Sequence, residues 1–169
     1  MKRILNIQGK SQYDEDIKDK FRPSACGPVT AYVLLRHLLP QSLYQVNELY
    51  RLLGSTRIGL FKWRFLRNLR KLLGPGWHVV ECGIAEVQQQ IHAGRPVAAK
   101  FDKWFSRKWR GQYTFNYHWV PVIGYEKTED DILLIIHDNG SRRYGSRIRQ
   151  VSYQKNQEIL SFIKMEPKA

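Results

Sequence analysis

Apolar and polar positions divide this chain into a helical first part and a stranded remainder. Residues 29–39 are apolar almost throughout (Val29, Ala31, Tyr32, Val33, Leu34, Leu35, Leu38, Leu39), which predicts a helix buried on most sides. Ser24 is its expected N-cap, Pro28 fits a first turn and Pro40 ends it. A second helix is predicted over 46–53, stopping at Gly54, and a third over 60–73, stopping at Gly74. In the third, Phe61, Phe65, Leu66, Leu69, Leu72 and Leu73 form one stripe, and Lys62, Arg64, Arg67, Arg70 and Lys71 cover the rest.

Short apolar runs bounded by turn residues predict strands at 5–7, 77–82, 97–101, 118–125, 132–137, 148–153 and 161–165. A helix over 84–93 lies between the second and third of these, and a helical turn over 155–160 precedes the last. The polar stretch 8–23 and the stretch 102–117 read as loops, and 128–131 as a hairpin turn. No internal repeat, low-complexity tract or linker interrupts the pattern. Helices followed by an antiparallel sheet predict an α+β domain, one domain over residues 1–169.

Composition fits that reading. A chain of 169 residues with 43% hydrophobic residues is long enough for a full core. Two cysteines make no disulfide framework, and no paired CxxC spacing suggests zinc. No run reaches the ~18 apolar residues of a membrane span, and the first residues lack a signal-type apolar stretch, so a cytoplasmic protein is expected. The formal net charge of +13 is large, with much of the excess in 57–71 and 142–149. Solvated basic faces account for it, or attraction to an acidic partner, nucleic acid or anionic lipid.

The chemistry centres on Ser24-Ala25-Cys26-Gly27-Pro28. A cysteine in the first turn of a helix meets free N–H groups and the positive end of the macrodipole, both of which favour thiolate, the nucleophilic form. The Cys26 N–H can serve an oxyanion hole, and Gly27 lets the backbone come close to a substrate carbonyl. Cys82 sits among Val79 and Val80 with no helix start beside it and reads as a small buried hydrophobe.

Of five histidines, His37 and His92 lie on predicted helices and His78 opens a strand, so they read as structural. His118 opens the strand that leads through the hairpin to Asp138. The two strand ends therefore bring His118 and Asp138 side by side, with Asn139 as an alternative orienter. Cysteine, then histidine, then aspartate, with Gln12 upstream, is the order a cysteine hydrolase uses: nucleophile, base, orienter and oxyanion donor.

Together these residues resemble a papain-like cysteine peptidase. The resemblance rests on Gln12-Tyr13-Asp14, Ala25-Cys26-Gly27-Pro28, Gly94-Arg95-Pro96-Val97, His118-Trp119-Val120 leading to Val122-Ile123-Gly124-Tyr125, and Asp138 closing the next strand. It is closest to the compact bacterial branch that holds the double-glycine leader peptidases and their stand-alone relatives. It implies a papain-like fold in which a helical part carrying Cys26 packs on an antiparallel sheet. It also implies Cys26 as nucleophile, His118 as base, Asp138 as orienter and Gln12 as oxyanion donor, with no cofactor or metal. Gln12 lies 14 residues before Cys26 with a charged insert between them, so Gln8 is its alternative. Pro121, lacking a ladder N–H, predicts an edge or a bulge.

The stretch 103–117 carries Trp104, Phe105, Trp109, Tyr113, Phe115 and Tyr117, with Arg107, Lys108 and Arg110 among them. It either folds over the core or walls the cleft before His118. In the second case Trp104, Trp109 and Trp119 contact substrate and leave room only for a small residue such as glycine before the scissile bond. The expected function is hydrolysis of a peptide or isopeptide bond in a peptide or protein. An acyltransferase of the same fold and a non-catalytic peptide-binding module are the alternatives. Aromatics interleaved with arginine also suit nucleic acid, but no binding-fold signature accompanies them, so nucleic acid is not the expected partner.

Overall fold

In the computed structural model, which describes residues 1–104 and 107–169, a seven-stranded antiparallel sheet is flanked by helices on both faces. The elements run β1 (Lys2–Ile4), α1 (Cys26–Leu38), α2 (Val46–Leu52), α3 (Lys62–Leu73), β2 (Trp77–Cys82), α4 (Ile84–His92), β3 (Val97–Asp102), β4 (Tyr117–Lys127), β5 (Ile132–Asp138), β6 (Arg147–Ser152), α5 (Tyr153–Asn156) and β7 (Leu160–Pro167). The sheet order is β2-β7-β3-β4-β5-β6, and β1 pairs with the far end of β4.

Strand alternation distributes the core to the two faces. Ala98, Trp119, Ile163 and Met165 pack against α1, α2 and α3 through Leu34, Leu35, Leu49, Leu53, Phe65 and Leu69. Their strand neighbours Val97, Ala99, Val120 and Phe162 face the other way and pack on Val87 and Ile91 of α4. The expected helical part on a sheet is therefore present, and α4 adds a layer on the opposite face.

Three local expectations are corrected. The first strand is not the apolar run 5–7 but Lys2–Ile4, paired with Gly124–Glu126 through backbone bonds that its exposed side chains do not share. Ser24 is not the cap of α1. It lies in a 3-10 turn, Arg22–Ser24, and its hydroxyl bonds the Tyr50 hydroxyl at 2.6 Å. Ala25 precedes α1 without a side-chain cap, so the helix start is left to its own N–H groups. The irregularity expected near Pro121 falls just after it, as a register shift between Val122 and Gly124 against β5.

Candidate active site

Cys26 is the first residue of α1, buried at the helix terminus. As a first-turn residue its N–H has no intrahelical acceptor. Its carbonyl accepts a hydrogen bond from the Thr30 hydroxyl at 2.8 Å and another from the Asn139 amide at 3.1 Å. Gly27 owes its size to packing: a Cβ there would lie 2.7 and 2.9 Å from Leu60 side-chain carbons. The backbone N–H of Leu60 in turn donates to the Tyr117 hydroxyl, and its carbonyl accepts from that hydroxyl and from the Trp119 indole.

The hairpin between β4 and β5 brings His118 and Asp138 together. His118 Nε2 lies 3.1 Å from Asp138 Oδ1. The Cys26 side chain acts with Asp138 on the imidazole, both favouring its charged form. Burial of the ring acts to lower its pKa. The hydrogen bond to Asp138 and the influence of Cys26 outweigh it and raise the value to about 9. The imidazolium is thus the favoured form at neutral pH.

Asp138 has a second partner that the sequence reading did not single out. Arg149 Nη1 on β6 lies 2.8 Å from Oδ2, the oxygen that His118 leaves free. Burial acts to raise the Asp138 pKa, but the bonds to His118 and Arg149 hold it down at about 2. The Arg149 guanidinium lies 5.2 Å from the Phe115 ring centroid, and the Phe115 ring is 4.8 Å from that of His118. Phe115 therefore covers the His118–Asp138–Arg149 chain on one side. Only the β5–β6 register, which sets Arg149 across from Ile136 and next to Asp138 in space, reveals this arginine.

Asn139 is not placed as an orienter of the imidazole. Fully buried, its Nδ2 donates to Trp119 O at 2.6 Å and Cys26 O at 3.1 Å, with Thr30 Oγ1 at 3.2 Å. Its own carbonyl accepts the backbone N–H of Gln12 at 2.8 Å. One residue thereby ties the cysteine helix, the histidine strand and the glutamine segment together. Gln12 is buried, and its Nε2 donates to Arg22 O at 2.8 Å in the turn before Cys26. That bond uses one amide hydrogen and leaves the other. Gln8 is exposed on another part of the surface.

The aromatic loop divides. Phe115 and Tyr113 pack on the α4-side core, and Tyr117 packs on the other. Trp104 and Trp109 stay exposed, with the Trp109 indole donating to Trp104 O at 3.0 Å. Phe105 lies outside the described residues. Trp119 does not offer a surface to substrate: it is fully buried, stacked on Phe65 at 4.5 Å, because its parity on β4 turns it toward the helices. Cys82 is half-buried, and burial pushes its thiol up to about 12. Among the described residues no group of three or more His, Cys, Asp or Glu side chains gathers as a metal site, and no helix is long and apolar enough to cross a membrane.

The family model described as Peptidase_C39-like matches residues 4–169. No curated protein matches the chain. Among solved structures, the peptidase domain of Streptococcus ComA, a bi-functional ABC transporter involved in a quorum-sensing pathway, superposes with a TM-score of 0.59 at 16% identity, over 98% of this chain and 99% of that one. UfSP from C. elegans superposes with a TM-score of 0.59 at 12% identity, over 99% of this chain and 34% of that one. The fold is papain-like.

Proposed function

The chain belongs to the Peptidase C39-like family, and on that premise we propose that it is a cysteine peptidase working through Cys26, His118 and Asp138, with Gln12 completing an oxyanion hole. One observation carries the reading: a single buried imidazole is hydrogen-bonded to a carboxylate and has its charged form favoured by a helix-start cysteine as well. In this reading residues 1–169 act as one papain-like domain. The reduced thiol it needs suits the cytoplasm.

The steps follow from the geometry. In this reading the nucleophile is the thiolate form of Cys26, next to a His118 held protonated. The thiolate attacks the scissile carbonyl carbon. The carbonyl oxygen, now anionic, accepts hydrogen bonds from the Cys26 N–H and the remaining amide hydrogen of Gln12. His118 gives its proton to the leaving amine as the C–N bond breaks, and a thioester to Cys26 remains. Neutral His118 then takes a proton from water, the resulting hydroxide attacks the thioester, and the thiolate–imidazolium pair is restored. Asp138 keeps the ring oriented and stabilises the imidazolium throughout.

For the substrate we propose a peptide or protein with a small residue, Gly or Ala, before the bond. Leu60 against Gly27 and the Tyr117 hydroxyl on Leu60 crowd the approach to Cys26, and Trp104 and Trp109 remain available to contact an extended peptide. The test compares Gly-Gly with Phe-Arg fluorogenic peptides, using wild type, Cys26→Ala and His118→Ala. Hydrolysis is expected from wild type alone and faster on Gly-Gly. Equal turnover by Cys26→Ala overturns the assignment of the nucleophile, and faster turnover of Phe-Arg overturns the size limit.

A further inference from the structure

A cavity of about 340 Å³ is lined by Tyr13, Asp19, Arg22, Pro23 and Arg142. Its walls are tied to the candidate catalytic residues. Gln12, next to Tyr13, donates to Arg22 O, and Pro23 lies three residues before Cys26. Arg142 stands in a turn closed by the bond from Ser141 N–H to Tyr144 O. Gly140 seats that turn on the glutamine segment: a Cβ there would lie 2.7 Å from Ser11 Oγ.

Three donor groups around this cavity have no acceptor among the described residues. Arg22 Nε is buried and unpaired, although Nη1 pairs with Asp19 and Nη2 donates to Glu15 O at 3.4 Å. The Tyr13 hydroxyl and the Arg142 guanidinium make no hydrogen bond or ion pair with any described residue. A buried N–H without an acceptor is costly, and two guanidinium groups on one cavity repel each other. An anionic oxygen group relieves both. Asp19 does not fill that role. It meets Arg22 at Nη1, not Nε, and with 88% of its side chain exposed its charge is largely screened by water.

The cavity lies on one flank of the site. On the opposite flank, the 60–62 segment reaches over β7, where Lys62 Nζ is 3.3 Å from Ser161 Oγ. Leu60, at the start of that segment, packs on Gly27 beside Cys26. Gln12 is bound instead to Asn139, at the end of β5. The sheet order β7-β3-β4-β5 puts β4, with His118, between the two flanks. In the peptidase reading the residue before the bond faces Leu60. An extended substrate then continues over Gln12, and the part after the bond meets the cavity. We infer that this cavity binds a carboxylate of the leaving fragment, on an acidic side chain or at a free C-terminal end, through Arg142, Arg22 and Tyr13. A planar carboxylate matches the guanidinium fork, and it is the anion a peptide supplies. The inference rests on the peptidase reading for the side of the bond.

Three peptides, identical up to Gly-Gly and ending in Gln-amide, Glu-amide or Gln free acid, test it, with cleavage after Gly-Gly read by mass spectrometry. A carboxylate is expected to raise kcat/KM about tenfold over Gln-amide, through KM. A faster Glu-amide peptide assigns the cavity to a side chain, and a faster free acid assigns it to a chain end. Equal rates on all three overturn the proposal. Arg142→Gln is expected to bring the favoured peptide down to the Gln-amide rate with an unchanged melting temperature. Lys155→Gln, in α5 past the far end of β6, is expected to keep the preference. A preference that survives Arg142→Gln, or that Lys155→Gln also removes, overturns the proposal. Cleavage of the Gln-amide peptide by wild type and not by Cys26→Ala tests the peptidase reading separately. If no peptide is cut, fluorescence polarisation of the same peptides, labelled at the N-terminus, on Cys26→Ala tests the cavity alone. Tighter binding of a carboxylate peptide, lost when Arg142→Gln is added, supports it, and equal binding of all three overturns it.

Discussion

Arg149 and His118 hold opposite oxygens of one carboxylate, that of Asp138, at 2.8 and 3.1 Å. Asp138 is therefore fixed from both sides. Neither oxygen can turn away from its partner without breaking a charge-assisted bond. Arg149 acts on the imidazole only through Asp138, as a positioning residue.

Losing Arg149 is expected to show in the pH profile. With His118 at about 9, kcat/KM in the wild type falls on the alkaline side near that pH. In Arg149→Gln the carboxylate is freer to turn, the His118–Asp138 bond loosens, and the alkaline limb moves down toward the ordinary histidine range. The rate drops on the order of tenfold, and Arg149→Lys restores part of it. Removal of charge alone would push the limb upward, so the direction of movement separates positioning from simple electrostatics.

Selective alkylation is expected at neutral pH. Cys26 sits beside an imidazolium at a helix start, whereas burial holds the Cys82 thiol at about 12. A low dose of iodoacetamide should therefore modify Cys26 first, as read by peptide mass spectrometry. Preferential labelling of Cys82 would contradict both assignments.

Asn139→Ala and Asp138→Asn are expected to part ways. The first removes the amide donor from the buried carbonyls of Trp119 and Cys26, the latter keeping the Thr30 hydroxyl, and should cost ~1–3 kcal/mol of stability. The second should depress kcat out of proportion to its loss of melting temperature, because an amide can still hold the ring although the charge that met Arg149 and His118 is gone. A melting temperature unchanged in Asn139→Ala would remove its role as the tie between α1 and β4.

Gly27→Ala places a methyl group against Leu60 and is expected to cost ~1–3 kcal/mol. Leu60→Ala made in the same chain should recover part of that loss, because it empties the space the new methyl needs. A thermal denaturation cycle of the two single variants and the double variant measures the coupling. Simple additivity would mean that the glycine is there for another reason.

Stability should also track the two titrations. The folded value of His118, about 9, lies above its ordinary 6.5, so its contribution is complete below pH 6.5 and is lost as pH rises through 9. Asp138 runs the other way. Its folded value, about 2, lies below its ordinary 3.8, so its contribution is present above that range and fades as pH falls toward 2. Melting curves of wild type and His118→Gln from pH 6 to 10 should converge at the alkaline end. A gap that widens there would refute the raised value.

Much of this was legible along the chain because the signals were local. The apolar run after Cys26 and the hairpin at 128–131 sufficed to place α1, β4 and β5, and the hairpin alone was enough to set His118 beside Asp138. What escaped depended on pairing across the sheet. Arg149 belongs to a basic stretch whose other members are mostly exposed, and only the partner strand makes it different. Trp119 stands beside His118 in sequence, yet alternation sends the two to opposite sides of β4. Ser24 looked like a cap because serine often is one, but the nearby Tyr50 hydroxyl offered it a partner. The run 5–7 looked like a strand, whereas the ladder that formed requires only backbone.

The position of β7 in the sheet has a consequence for synthesis. Residues 160–167 lie between β2 and β3, in the interior of the order rather than at an edge. While a ribosome is still making the chain, β2 and β3 have no strand to bridge them, and the face on which α1 and α3 rest is incomplete. Folding of the sheet must wait until residue 167 has emerged. A nascent chain therefore carries its thiol long before it has the platform that would aim it.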